Sequence, residues 1–121
     1  MAINPTGQDL KQFLADDDGA PVCMLNLLRF APGGRAKYAQ YLEHTRVHGA
    51  KHGIELVFIG EGRTALVAED GQAWDAVLIA RYPSRAAFAA MVADPEYQAG
   101  THLRTEALTE AVLQPTTPWS G

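Results

Sequence analysis

The sequence predicts an α+β domain in which a four-stranded antiparallel sheet carries its helices on one face. Two observations predict it. Ala76–Tyr82 (AVLIARY) is a short apolar run closed by Pro83, which has no amide to donate to a ladder, so it reads as a central strand covered on both sides. A helical pattern follows at once: Ser84 offers an N-cap, and Phe88, Met91 and Val92 recur at helical spacing among alanines. At 121 residues the chain reads as one domain, 1–121, with its core at about 20–116.

The remaining elements fall into place around that unit. Thr6–Asp16 is a short helix, with Leu10, Phe13 and Leu14 at i, i+3, i+4, and the Asp16-Asp17-Asp18-Gly19 breaker ends it. Val22–Phe30 (VCMLNLLRF) is the first strand; Cys23, Leu25, Leu27 and Arg29 share one face, and Met24, Asn26, Leu28 and Phe30 the other. Arg35 to about Lys51 is a helix with a core face of Tyr38, Leu42, Thr45 and Gly49, Tyr41 beside it, and His44, His48 and His52 along one flank. Ile54–Ile59 is a second strand, with Glu55, Val57 and Ile59 on one face; Gly60-Glu61-Gly62-Arg63 interrupts it, and Thr64–Ala68 continues extended. A turn at Glu69–Gln72 leads to Trp74 and the central strand. Asp94-Pro95 starts a second helical segment to about Leu108, and Ala111–Gln114 is a short last strand. Without the first helix the order is β-α-β-β-α-β, the ferredoxin-like split arrangement.

Composition narrows the partners. A net charge of −4 without a basic cluster argues against nucleic acid and against an anionic membrane surface. The apolar runs are far shorter than a membrane span, and MAINPTGQDL has neither the positive start nor the apolar core of a signal peptide. The single Cys23 fits a reducing cytoplasm. The aspartate run lacks the alternating ligand positions of a calcium loop, and no flavin or nicotinamide fingerprint is present. The expectation is a protein with no metal and no cofactor. Three strands are apolar on both faces, yet one helical layer covers only one of them. A second copy is the simplest cover, which predicts a face-to-face homodimer.

The segments MLNLLRF, GEGR and WDAVLIARYPSRAAFAAMVADPEYQA together resemble the bacterial domain-of-unknown-function family 1330. The most specific part is Tyr82–Gln98. Many members carry a Gly-Gly-x-Tyr-Leu-x-Arg-Gly type segment, where this chain has only Gly60, Gly62 and Arg63. The resemblance implies a dimeric α/β barrel, in a superfamily that includes cofactor-independent monooxygenases, haem-degrading oxygenases, muconolactone isomerases and dye-decolourising peroxidases.

That architecture leaves a cleft between sheet and helices. The candidate ligand-binding residues are Asn26, Tyr41 and His48, with Trp74 and Asp75 at the strand entrance and Arg63 and Arg85 at the rim. In an oxygenase- or isomerase-like enzyme acting on a small apolar or aromatic organic acid, Asn26 would hold a carbonyl or enolate oxygen. His48 would move a proton and an arginine would anchor the carboxylate. The alternative is a non-catalytic small-ligand-binding dimer using the same pocket. Whether His48 lines that pocket beside Asn26 separates the two.

Overall fold

The computed structural model describes residues 3–120; Met1, Ala2 and Gly121, the ends of the expected domain, lie outside the described residues. Helix α1 (Gly7–Ala15) precedes strand β1 (Val22–Phe30), helix α2 (Gly34–Gly49) with a 3-10 turn (Ala50–His52), and strands β2 (Glu55–Glu61) and β3 (Ala76–Tyr82). Helices α3 (Arg85–Ala93), α4 (Pro95–Gln98) and α5 (Thr101–Ala107) then lead to strand β4 (Leu108–Thr116). The sheet order is β2-β3-β1-β4 and every pairing is antiparallel, the ferredoxin-like topology with an added N-terminal helix.

The register sets which side chains face the helices. Asn26 pairs with Leu78 on one side and Leu113 on the other, so Met24, Asn26 and Leu28 line up with alternate residues of β3 and β4. That set is buried beneath α2 and α3: Val22, Met24, Leu28, Leu78 and Ala80 are each at most 5% exposed and pack with Tyr38, Tyr41, Phe88 and Met91. The opposite set, including Leu25, Leu27, Val77 and Ile79, is only half-buried, and Cys23 lies among it. No described segment covers this open face.

Four stretches differ from the sequence reading. The segment from Pro95 breaks into α4 and α5, because Gly100 brings its backbone against the His44 ring where a Cβ would collide. In β2 the register shifts between Leu56 and Phe58, so Val57 is an extra residue. Leu56 and Ile59 therefore pair with Ala80 and Leu78 on the helix side, while Phe58 pairs with Ile79 on the open side. Strict alternation would have put Ile59 with Glu55. Finally, Thr64–Ala68 is not strand but part of an exposed loop, and β4 runs from Leu108 to Thr116 rather than from Ala111 to Gln114. Pro115 is tolerated in β4 because that strand is an edge.

Helix α1 is held by a capping box, in which Thr6 Oγ1 accepts from Asp9 N at 3.0 Å and Thr6 N donates to Asp9 Oδ2 at 2.9 Å. It docks on α3 through an edge-to-face Phe13–Phe88 pair, and the Arg85 guanidinium sits over the Phe13 ring at 4.6 Å.

At the end of β2 the backbones of Gly62 and Trp74 meet. Gly62 N donates to Asp75 O at 2.9 Å, and a Cβ on Gly62 would strike the Trp74 carbonyl. Gly62→Ala is expected to destabilise the protein by about 1–3 kcal/mol, since backbone must move. Gly60→Ala meets only the movable Phe58 ring and is expected to cost less. Urea unfolding of the two variants checks the order.

Candidate functional site

A polar layer lies inside the core between the sheet and the helices. Asn26, 7% exposed, is its sheet member. Its Nδ2 donates to Met24 O at 3.3 Å and Leu78 O at 3.5 Å, neither of them short, and among the described residues nothing donates to its Oδ1. Around it stand all four tyrosines of the chain, Tyr38 and Tyr41 of α2, Tyr82 of β3 and Tyr97 of α4, each buried. The Tyr41 and Tyr97 hydroxyls share a 2.6 Å hydrogen bond. Two cavities meet at this layer. One, of about 260 Å³, is lined by Asn26, Tyr41, Tyr82, Tyr97 and Arg104 and extends under α1 to Asn4, Pro5 and Leu10. The other, of about 500 Å³, lies between α2 and β2 and shares Asn26, Tyr41 and Tyr82 with the first.

Arg104 is the unexpected member. It is 7% exposed, and its Nη1 donates to Ile3 O at 2.5 Å and Asn4 Oδ1 at 2.7 Å, tying the N-terminal segment across the cavity. Its Nη2 is buried with no hydrogen-bond partner, and no carboxylate pairs with it among the described residues. The guanidinium lies close enough to Tyr38 to favour that phenolate slightly, without a well-formed hydrogen bond between them. Burial dominates for the tyrosines and pushes the hydroxyls of Tyr38, Tyr82 and Tyr97 well above their ordinary range, so they stay protonated donors. An uncompensated buried cation among neutral donors favours an anion.

The histidine flank of α2 does different work. Asp94 Oδ1 caps α4 by accepting from Glu96 N at 2.9 Å. Its Oδ2 accepts from His52 Nε2 at 2.8 Å and from Lys51 Nζ at 2.9 Å. His48 Nδ1 faces Glu96 Oε2 at 3.4 Å, and His44 Nε2 lies 2.9 Å from Tyr97 O. The three imidazoles thus hold the Asp94–Tyr97 turn residue by residue, which turns the Tyr97 ring inward onto Tyr41. Among the described residues no three His, Cys, Asp or Glu side chains gather to hold a metal ion.

Of the residues expected at the site, the structure brings together Asn26 and Tyr41. His48 lies outside, against Glu96, and lines neither cavity. Arg63 is exposed beside Glu61, and Arg85 stacks on Phe13. Trp74 lies under the Arg29 guanidinium at 5.2 Å. Asp75 extends the sheet: its N donates to Leu28 O and its Oδ2 accepts from Phe30 N, both at 2.8 Å. Tyr82, Tyr97 and Arg104 complete the layer instead. One sequence signal for Arg104 exists: it falls at i+7 from Tyr97 and i−3 from Ala107, on the inward stripe where an apolar residue belongs.

Residues 29–114 match the family described as Domain of unknown function (DUF1330). No curated protein matches the chain. The crystal structure of the RPA0582 protein of unknown function from Rhodopseudomonas palustris is 32% identical, covers 98% of each chain and superposes with a TM-score of 0.89. A dimeric ferredoxin-like protein of unknown function from Jannaschia sp. CCS1 is 10% identical over 82% of this chain and 100% of its own, with a TM-score of 0.62. A putative antibiotic biosynthesis monooxygenase from Bacteroides thetaiotaomicron is 18% identical over 82% of this chain and 90% of its own, with a TM-score of 0.57. At those identities the last two show the shared fold alone.

The Asp94 anchor has a pH signature. His52 first, then Lys51 and the Glu96 N–H, hold its carboxyl well below the usual carboxylate range. With the folded value below the unfolded one of about 3.9, the stabilisation is fully present above about pH 4 and is lost as pH falls through the folded value. Asp94→Asn is expected to flatten the acid limb of stability, measured by urea unfolding across a pH series. Parallel limbs for variant and wild type would show that the carboxylate is not held.

Proposed function

The chain belongs to the DUF1330 family, and from that premise we propose that it is a homodimeric binding protein for a small apolar or aromatic organic acid. The observation that carries this reading is Arg104: a buried guanidinium with an unpartnered Nη2, in the wall of a cavity that also holds Tyr41, Tyr97 and Asn26. A carboxylate supplies the missing acceptor, and its apolar body meets Leu10, Phe88, Met91 and Leu113. The enzymatic alternative, an oxygenase- or isomerase-like protein acting on the same acid, is the weaker one, because the imidazole that would move the proton is engaged by Glu96 outside the cavity.

The dimer forms through the open sheet face. Its support is the half-buried apolar set at Leu25, Leu27, Val77 and Ile79, which lacks a covering layer. The Jannaschia protein with this fold is described as dimeric. No helix among the described residues is long and apolar enough to cross a membrane, and the single half-buried Cys23 supports a reducing cytoplasm.

Two measurements test the two halves. Benzoate and benzamide have nearly the same shape and differ in charge. Benzoate is expected to bind about tenfold to a hundredfold more tightly in titration calorimetry, the difference expected of hydrogen bonds to a charged group. Arg104→Met is expected to abolish the preference, and its thermal unfolding reports whether it folds. Equal binding of acid and amide to the wild-type protein would overturn the anion site. Ile79→Glu is expected to convert a dimer to a monomer in sedimentation velocity; a wild-type monomer would remove the dimer reading.

A further inference from the structure

We infer that the ligand is a medium-chain carboxylic acid whose tail occupies the second cavity, between α2 and β2; this rests on the carboxylate reading of Arg104. The two cavities share three wall residues, Asn26, Tyr41 and Tyr82, so they lie on either side of one layer, and a chain that leaves Arg104 would cross that layer beside the Asn26 amide to reach the larger space. The division of volume suits a head and a tail. The Arg104 cavity, about 260 Å³, lies under the roughly 300–1,000 Å³ of pockets that enclose a drug-sized ligand, whereas the second, about 500 Å³, lies within it.

Away from the shared layer of Asn26, Tyr41 and Tyr82, the lining of the second cavity is mostly aliphatic, with Leu42, Ile54, Leu56, Leu78 and Ala80, and Glu43 and Arg46 at its outer edge pair with each other. Thr45 adds a buried polar atom on the α2 side. Thr45 is 7% exposed and its Oγ1 has no hydrogen-bond partner. Among the described residues, Arg104 and Thr45 are thus the two with buried, unsatisfied side-chain atoms, and each lines one of the two cavities. A tail with a hydroxyl or keto group near its far end would satisfy the second as the carboxylate satisfies the first. A partner on the open sheet face leaves the cavity uncovered, since it lies on the other side of the sheet.

Titration calorimetry with butanoate, hexanoate, octanoate and decanoate tests the inference on the full chain. Each methylene buried in the second cavity is expected to tighten binding about fourfold. Ala39→Trp, placed on the exposed lip of that cavity, is expected to flatten the series so that decanoate binds no better than butanoate. Thr45→Val is expected to remove any advantage of 10-hydroxydecanoate over decanoate. Butanoate binding with no gain on lengthening, or a gain that survives Ala39→Trp, would overturn the tail site and leave the anion site standing. Failure of every acid to bind would remove both.

Discussion

A sheet that is apolar on both faces, with helices for only one of them, is the constraint on which the rest of this structure depends. The parity of β1 decides everything downstream. One set, with Met24, Asn26 and Leu28, goes to the helices, and the other, with Leu25 and Leu27, goes to the open face. The first set fixes where a polar group can enter the core, and the only one β1 sends there is Asn26. The second leaves a surface whose burial would contribute at roughly 25 cal/mol per Å² of apolar area. The two faces are therefore separate: Leu27 and Ile79 belong to the open face, while Asn26 belongs to the interior.

The interior is organised by a cation. Burying a guanidinium is costly unless acceptors surround it, and Arg104 has two, both from the segment before α1. That arrangement links the N-terminal residues to α5 and places them over the cavity, with Asn4 Nδ2 donating to Thr105 Oγ1 at 3.0 Å as a second tie. Tyr97 arrives from another direction, on the short α4, whose geometry depends on Asp94, on His44 and His48 of α2 and on His52 of the 3-10 turn. A helix of four residues has little stability of its own. The Asp94 cap and the imidazole contacts supply from outside what its length cannot.

Much of the fold was legible in the sequence because its signals are local. Pro83 after an apolar run, Ser84 before a helical stripe and Asp94-Pro95 each act through backbone chemistry of a few residues. The misread stretches depend on contacts distant in sequence. The β2 bulge answers to β3, and the break at Gly100 answers to His44, more than fifty positions earlier. The candidate site was legible in its sheet half, since the alternation of β1 selects Asn26, and in Tyr41 on α2. The arginine was not. Arg63 and Arg85 look available because glycines or a helix start surround them, and both are used on the surface. Arg104 sits in a segment whose apolar stripe is interrupted at Gly100, and the place to look for a buried charge is a stripe position occupied by a charged residue.

The electrostatics of the inner layer decide between holding an anion and making one. A group that moves protons near neutral pH must titrate there. Burial keeps Tyr38, Tyr82 and Tyr97 protonated, and the Asn26 amide carries no ionisable group. The imidazoles of His44, His48 and His52 are engaged with Tyr97 O, Glu96 and Asp94. Fixed donors stabilise negative charge without having to reorganise, and that is the electrostatic part of catalysis. The described residues around the Arg104 cavity thus present hydrogen-bond donors to its interior, from Arg104, the tyrosines and the Asn26 amide.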